Sequence, residues 1–174
     1  GLANITKILG KNVDKGRISV DDRDAILGRI RITADLRDMA DADFVVEAAT
    51  ENAILKKEIF RELDALCPDH TILATNTSSI SITEIAAVTN RPAKVIGMHF
   101  MYPAQRMKLL EIITTPATSD ETYQTVKSLA LKMGKTPITA TDRPCFVTSR
   151  LIQTLINEAI FCLYEGVSSK EEID

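Results

Sequence analysis

The sequence predicts an α/β fold with a mainly parallel sheet, on two observations. Short apolar segments rich in β-branched residues alternate with longer amphipathic segments, which is typical of strands joined by crossover helices. The first short segment, "DFVVEAA" at 43–49, is apolar almost throughout, as a strand covered by helices on both faces would be. Four more strands are predicted from similar segments: "TILAT" (71–75), "KVIGMHF" (94–100), "KLLEIIT" (108–114) and "TPITAT" (136–141).

A surface helix is predicted over residues 50–66, directly after the first strand. Leu55, Ile59 and Leu63 share one face of this helix, whereas Lys56 and the other charged side chains lie largely elsewhere. The apolar face is expected to pack on the sheet, with the charged side chains in solvent.

Capping signals begin two further helices. "SITE" at 81–84 is a capping box that opens the helix 81–89, and Thr118 with Glu121 forms a second box that opens the helix 118–134. Both helices follow a predicted strand, so they continue the strand–helix alternation.

A long, strongly apolar helix is predicted over 143–166 and ends at Gly166. Its apolar surface needs a partner, within the chain or across an oligomer interface, and a homodimer is the expected assembly. We therefore divide the chain into an α/β domain at 1–142 and the start of a helical domain at 143–174.

Composition limits the classes of function. The 174 residues are 45% hydrophobic and 26% charged with a net charge of −3, which is typical of globular proteins. Mild acidity without a cluster of lysines and arginines argues against nucleic acid or an anionic membrane as the main partner. No apolar run approaches the ~18 residues of a membrane span, and no secretory signal begins the chain, so a cytoplasmic location is expected.

Neither a disulfide framework nor a metal site is predicted. Cys67, Cys145 and Cys162 are odd in number and widely spaced in apolar stretches, which favours free, buried thiols. His70 has no second histidine or cysteine at ligand spacing and is interpreted as a solvated loop residue.

Polar residues follow three of the predicted strands. The strand 43–49 runs into "ATEN", the strand 71–75 runs into "NTSS", and His99 lies at the end of the strand 94–100. Because ligands of open α/β sheets bind at the carboxyl ends of the strands, these residues are expected to lie close together. The side chains expected near His99 are Glu51, Asn52, Asn76, Ser78 and Ser79.

Glu111 lies inside an apolar strand, where an unpaired carboxylate is costly. His99 is the best candidate for its partner, because the loop "YPAQRM" joins the two strands that carry them. A carboxylate that orients an imidazole and stabilises its cation is a general acid–base device. The alternatives are a hydrogen-bonded structural histidine and, for "NTSS", a turn with a helix cap.

Four ordered segments carry a resemblance to a known family. The segments "VVEAATEN", "TILATNTSSISITEIA", "VIGMHFMYPAQRMKLLEII" and "RPCFVTSRLIQTLINEAIFCLYEG" resemble the 3-hydroxyacyl-CoA dehydrogenases, including the bacterial 3-hydroxybutyryl-CoA members. The resemblance covers about residues 1–174. It implies a Rossmann-type, doubly wound sheet followed by the first long helix of an all-α domain. It also implies NAD as cofactor and an acyl-CoA substrate of fatty acid β-oxidation, whose 3-hydroxyl is oxidised to a ketone or formed in reverse.

The same resemblance implies roles for individual residues. His99 aligns with the general base, Glu111 with the carboxylate that orients it, and Ser78 with a hydroxyl that contacts substrate and cofactor. Glu51 and Lys56 align with residues that line the cofactor site. Three further positions complete the implied site: Asn76 near the cofactor, Lys15 near the CoA phosphates, and Ser149 near the substrate.

Three departures from the family pattern bear on the implied activity. Ser149 stands in "PCFVTSR" where the family has the asparagine of a "PGFVVNR"-like motif, and Tyr102 replaces the asparagine that follows "HFF", near the expected nicotinamide site. The first strand, its GxGxxG turn and the acidic residue for the adenine ribose are absent from this sequence. The chain is therefore expected to be an incomplete Rossmann-type unit, truncated at both ends, with impaired cofactor binding.

Two other hypotheses stay open. The chain could be a catalytically inactive homologue that acts as a binding or scaffolding subunit, which Ser149 and Tyr102 favour. Ser78, His99 and Glu111 could also form the nucleophilic triad of a hydrolase, although "NTSSI" is not a GxSxG elbow.

Overall fold

A computed structural model describes all 174 residues, which fall into two compact units, Gly1–Asp38 and Met39–Asp174. Two helices make up the first unit, and Ser19 with Asp22 forms a reciprocal capping box at the start of the second. Lys15 is the exposed residue at the end of the first helix. The elements are α1 (Leu2–Asp14) and α2 (Val20–Gly28), followed by a 3₁₀ turn at Leu36–Met39.

A five-stranded sheet forms the centre of the second unit, with its strands in chain order. All neighbouring strands are parallel except the third and fourth, which are antiparallel. The predicted α/β fold with a mainly parallel sheet is therefore confirmed. The strands are β1 (Phe44–Glu47), β2 (Ile72–Thr75), β3 (Val95–Phe100), β4 (Leu109–Thr114) and β5 (Thr136–Thr141); the helices are α3 (Ala53–Leu66), α4 (Ile82–Ala86), α5 (Asp120–Lys132), α6 (Thr148–Tyr164) and α7 (Lys170–Ile173), with a 3₁₀ turn at Pro92–Lys94.

The three central strands carry the core. Apolar side chains of β2, β3 and β4 are almost completely buried, and Val126 and Ala130 of α5 pack against one side of them. Gly97 is required on β3, because a Cβ there would lie 2.8 Å from Cβ of Ile113 and would also meet the side chain of Ile82. The close approach of α4 to the sheet thus depends on the absence of a side chain at this position.

The predicted orientation of the helix after β1 is wrong in part. Asn52 caps α3, which buries Lys56, Phe60 and Leu63, whereas Leu55 is 45% exposed. The reason is that the carboxylate of Glu47 on β1 forms an ion pair with the ammonium of Lys56. The buried face of α3 is therefore rotated from the face that hydrophobicity alone predicts.

The predicted capping boxes are corrected in two places. Ser119, not Thr118, caps α5 by accepting a hydrogen bond from the backbone N–H of Thr122, because the hydroxyl of Thr118 donates to the carbonyl of Val95 instead. Ser81 accepts a bond from the N–H of Glu84 as predicted. The carboxylate of Glu84 pairs with the ammonium of Lys57 at 2.6 Å and does not complete the box, because the lysine reaches it from α3.

The long apolar helix begins later than predicted, at Thr148 instead of residue 143. Cys145 and Phe146 have φ angles of 63° and 48°, and this left-handed backbone cannot belong to a right-handed helix. No side chain of α6 is buried. None of the helices combines the length and the hydrophobicity that a membrane span needs. The exposed apolar side chains of α6 are Leu151, Ile152, Leu155, Ile156, Ile160, Phe161, Leu163 and Tyr164.

Candidate active site

The register of two antiparallel strands brings a histidine and a carboxylate together. His99 on β3 lies directly opposite Glu111 on β4, and residues paired in this way project from the same face of a sheet. Nδ1 of His99 lies 2.7 Å from Oε2 of Glu111. Both side chains are buried, Glu111 completely, so the pair is shielded from bulk water.

Four donors surround the carboxylate of Glu111. Oε1 accepts the backbone N–H groups of Val147 at 3.1 Å and Thr148 at 2.9 Å, while Oε2 accepts the hydroxyl of Thr148 at 2.7 Å in addition to the imidazole. Burial alone would raise the pKa of Glu111, but these hydrogen bonds outweigh it and the pKa is lowered. The buried carboxylate is therefore an anion at neutral pH.

Ser78 lies on the other side of the imidazole, with its Oγ 3.0 Å from Nε2 of His99. An anionic Glu111 accepts the proton on Nδ1, so Nε2 of a neutral ring is the acceptor and the hydroxyl of Ser78 donates to it. This tautomer follows from the hydrogen-bond network. The basic nitrogen of the ring thus faces Ser78, at the carboxyl ends of the parallel strands.

The turn that carries Ser78 is held by Glu51. Oε1 of Glu51 accepts the hydroxyl of Thr77 at 2.7 Å and the backbone N–H of Ser78 at 2.8 Å. Burial works to raise the pKa of Glu51, but these two bonds and the nearby ammonium of Lys56 lower it. Glu51 is therefore an anionic, half-exposed side chain beside the serine.

A buried ion pair continues this network beneath the surface. Lys56 is 1% exposed, with its Nζ 2.5 Å from Oε2 of Glu47 and 3.8 Å from Oε2 of Glu51. Thr75 donates its hydroxyl to the same Oε2 of Glu47 at 2.9 Å. Sequence reasoning missed Glu47, although a carboxylate inside the apolar strand "FVVE" was the same signal that identified Glu111.

The other predicted residues occupy different positions. Asn76 accepts the backbone N–H of Phe100 through Oδ1 at 2.8 Å and so ties the end of β2 to that of β3. Ser149 lies half-buried in the first turn of α6, and Tyr102 is 94% exposed on the loop after β3. Asn52 caps α3, and Oγ of Ser79 lies 3.4 Å from Oε1 of Glu51. Lys15 belongs to the unit Gly1–Asp38.

The main chain around Ser78 bears on the hydrolase hypothesis. The N–H of Ser78 donates to Glu51, and those of Ser79 and Ile80 donate to the hydroxyl of Thr77. A serine nucleophile needs free N–H donors for the oxyanion that forms on its substrate. These three groups are already occupied, so the turn that carries Ser78 offers none of its own N–H groups to an oxyanion.

The remaining histidine and the three cysteines lie outside the site around His99. No group of three or more histidine, cysteine, aspartate or glutamate side chains could hold a metal ion. His70 is exposed and pairs with Asp43 at 2.8 Å. The three cysteines are free; Cys67 is buried, whereas Cys145 and Cys162 are half-buried, so the prediction of buried thiols holds fully for one of them.

The fold and the site together define an α/β domain with its polar side chains at the carboxyl ends of the strands, where such folds bind ligands. The sequence model of the 3-hydroxyacyl-CoA dehydrogenase NAD-binding domain matches residues 1–143. The chain belongs to the 3-hydroxyacyl-CoA dehydrogenase family, which confirms the resemblance seen in the sequence. NAD is thereby confirmed as the cofactor of the family.

Individual relatives agree with this assignment. A probable 3-hydroxybutyryl-CoA dehydrogenase of Bacillus subtilis is 51% identical over 174 residues, which are 100% of this chain and 61% of that protein. The 3-hydroxybutyryl-CoA dehydrogenase of Clostridioides difficile is 46% identical over 99% of this chain and 62% of its own length. The crystal structure of (S)-3-hydroxybutyryl-CoA dehydrogenase from Ralstonia eutropha matches with a TM-score of 0.95 and 42% identity, covering 99% of this chain and 61% of that one. The chain thus spans about three fifths of the curated relatives it matches.

Proposed function

We propose that this chain carries the acid–base centre of an enzyme that oxidises a 3-hydroxyacyl-CoA to the 3-ketoacyl-CoA with NAD, or catalyses the reverse reduction. The observation that carries the proposal is the buried pair of His99 and Glu111, with the basic nitrogen of the ring facing Ser78 at 3.0 Å. Oxidation of an alcohol by hydride loss requires a base for the hydroxyl proton, and this nitrogen can act as that base.

His99 receives the proton at Nε2 in this proposal. Glu111 stabilises the resulting imidazolium through Nδ1 and keeps the ring in the required tautomer. The substrate hydroxyl takes the place of the Ser78 hydroxyl at Nε2, and Ser78 then donates to the substrate oxygen. In the reduction, His99 returns the same proton to the oxygen that forms the alcohol.

The residues at the strand ends fit the nicotinamide end of NAD. Glu51, Asn76 and Ser78 offer polar atoms on a half-exposed edge beside His99, whereas the ammonium of Lys56 is buried and reaches this edge only through Glu51. These residues would hold the nicotinamide end, and bound NAD would supply the acceptor for the hydride that leaves C3 of the substrate. The chain contains no GxGxxG sequence to meet the pyrophosphate, so we propose that it binds NAD weakly.

Substrate contacts and assembly complete the proposal. The hydroxyl of Ser149 forms no hydrogen bond within the chain and can donate to the thioester carbonyl, and Tyr102 borders the nicotinamide. The family resemblance assigns Lys15, in the unit Gly1–Asp38, to the CoA phosphates. The exposed apolar side chains of α6 support a homodimer, because a monomer rarely leaves a contiguous apolar face in water.

The rate of NADH oxidation with acetoacetyl-CoA tests the proposal. The folded chain is expected to show a rate that His99→Ala abolishes, since the reduction needs a proton donor at the ketone oxygen. His70→Ala is the matched control, because it removes the only other histidine, which is exposed. A folded His99→Ala variant with an unchanged rate would overturn the proposed role.

A second candidate is a binding or scaffolding subunit without catalysis, which Ser149 and Tyr102 favour because both replace asparagines of the family. Restoring the amides with Ser149→Asn and Tyr102→Asn distinguishes the two. A large gain in rate from the double variant would support a subunit that has lost catalysis at these positions. If the wild type is active and the double variant is no faster, Ser149 and Tyr102 have not abolished catalysis, and the hypothesis of an inactive subunit is wrong.

A further inference from the structure

The carboxylate of Glu111 is shared between His99 and the start of α6. Val147 precedes the first residue of α6, and its own side chain does not cap the helix. Glu111 takes that place, because Oε1 accepts the N–H groups of Val147 and Thr148. One buried anion therefore satisfies two N–H groups at the start of α6 and orients a histidine.

Thr148 is the one residue that contacts both oxygens of this carboxylate. Its N–H donates to Oε1 at 2.9 Å and its hydroxyl donates to Oε2 at 2.7 Å. Contacts to both oxygens prevent the carboxylate from rotating about its terminal torsion, which is otherwise soft. The remaining acceptor position on Oε2 is then directed at Nδ1 of His99.

The backbone before α6 is strained in a way that serves this contact. Cys145 and Phe146 both adopt positive φ angles of 63° and 48°, a conformation that costs free energy for any residue except glycine. This turn delivers the N–H groups of the next two residues to Glu111. It also packs the ring of Phe146 against that of His99, with centroids 6.0 Å apart. Such strain persists only where the surrounding contacts enforce it.

We infer that Thr148 is a positioning residue for the acid–base pair. Its hydroxyl fixes the carboxylate of Glu111, and the fixed carboxylate fixes the tautomer and orientation of His99. The catalytic part of this inference rests on the proposed function, whereas the structural part concerns the histidine alone. Nothing in the sequence distinguishes Thr148 from an ordinary residue of a helix start.

Nitrogen-15 NMR of the histidine side chains tests the structural part on the 174-residue chain without cofactor or substrate. His70→Gln leaves His99 as the single histidine, so every imidazole resonance is assigned. In that background we expect a protonated Nδ1 with a downfield proton and an unprotonated Nε2. Thr148→Val removes the hydroxyl at nearly constant shape, and the downfield proton is expected to move upfield or disappear by exchange. Thr148→Ser keeps the hydroxyl and should keep the resonance.

An unchanged proton resonance in a folded Thr148→Val chain would overturn the inference. If Thr148→Val does not fold, Thr148→Ala replaces it, since alanine is well tolerated in the first turn of a helix. In the rate assay, Thr148→Val should lower kcat about tenfold with little change in KM, and Thr148→Ser should restore it. Equal kcat values for the valine variant and the wild type would contradict the catalytic part. A wild-type chain without activity would contradict the proposed function and leave the NMR result as an independent outcome.

Discussion

Glu111 lies opposite His99 in the antiparallel register of β3 and β4, and a hydrogen bond of 2.7 Å joins Oε2 of the first to Nδ1 of the second. The sheet sets this pairing, because register alone places both side chains on one face. Three further donors from α6 and its preceding turn then hold the carboxylate.

Glu111→Gln should destabilise the chain by about 1–3 kcal/mol, because a glutamine has one acceptor oxygen for four donors and adds an NH₂ group that faces some of them. The free energy of unfolding measured in urea checks this expectation. Glu62→Gln on the exposed side of α3 is the control and should be nearly neutral. Equal losses in the two variants would show that the donors around Glu111 do not depend on its charge.

Acid should weaken the fold through carboxylates that are hydrogen-bonded in it. Burial works to raise the pKa values of Glu111, Asp64 and Asp142, but hydrogen bonds, and for Asp64 the guanidinium of Arg91, lower all three. A carboxyl group with a lowered folded pKa stabilises the chain above its unfolded pKa, and that contribution is lost as the pH falls through the folded value. The free energy of unfolding should therefore change little from about pH 7 to 5 and fall steeply below about pH 4.

Asp142→Asn tests the acid dependence at one position. Oδ2 of Asp142 accepts the hydroxyl of Ser81 at 2.8 Å and the N–H of Thr83 at 2.7 Å, so removal of its charge should reduce the loss of stability between pH 5 and pH 3, roughly the range in which carboxylates titrate. Thermal unfolding at a series of pH values measures the slope of stability against pH over this range. Asp69→Asn, at a fully exposed aspartate, should keep the slope of the wild type. Equal slopes for the wild type, Asp142→Asn and Asp69→Asn would show that Asp142 does not contribute to the acid dependence.

Lys56→Met should cost about 3–5 kcal/mol of stability, because it leaves the carboxylate of Glu47 buried without a countercharge. Adding Glu47→Gln to this variant should recover much of the loss, since no buried charge then remains. Lys57→Met is the matched control on the next residue. Its ion pair with Glu84 lies at the surface, with side chains that are 26% and 65% exposed, and its loss should cost at most about 1 kcal/mol. Chemical unfolding of the four proteins gives the comparison, and similar losses for the two lysines would be evidence against a buried pair.

Gly97→Ala should destabilise the chain by about 1–3 kcal/mol, because its Cβ would lie 2.8 Å from Cβ of Ile113 inside a packed sheet. Gly10→Ala in α1 is the opposite case: its Cβ meets nothing within 4 Å, and alanine favours the helix by up to about 1 kcal/mol. Calorimetric melting temperatures of the two variants should move in opposite directions. A tolerated alanine at position 97 would mean that α4 can move away from β3.

The strands and the contact between His99 and Glu111 could be predicted because each has a local signal in the sequence. Apolar segments of strand length define the sheet, and a lone carboxylate in one of them required a partner. The orientation of α3 could not be predicted in the same way. Its buried stripe includes Lys56, which hydrophobicity places in solvent, and only the three-dimensional position of Glu47 explains the difference.

The contribution of α6 to the site was missed for a different reason. Thr148 reaches Glu111 only because Cys145 and Phe146 adopt left-handed backbone, which neither residue type favours. The sequence predicts a helix over these positions instead. Long-range contacts enforce the turn, and such contacts have no signature in local propensity or spacing.

The central claim is that the chain catalyses hydride transfer between NAD and the substrate, with His99 as the acid–base residue. Transfer of deuterium from NADH labelled at C4 tests this claim most directly. The 174-residue chain, with acetoacetyl-CoA and excess labelled cofactor, is expected to give 3-hydroxybutyryl-CoA with deuterium at C3, detected by mass spectrometry, and His99→Ala is expected to give none. Release of the CoA thiol without deuterium in the acyl product would show hydrolysis instead and would contradict the proposed hydride transfer. Label transfer by a folded His99→Ala chain at the wild-type rate would contradict the assignment of His99.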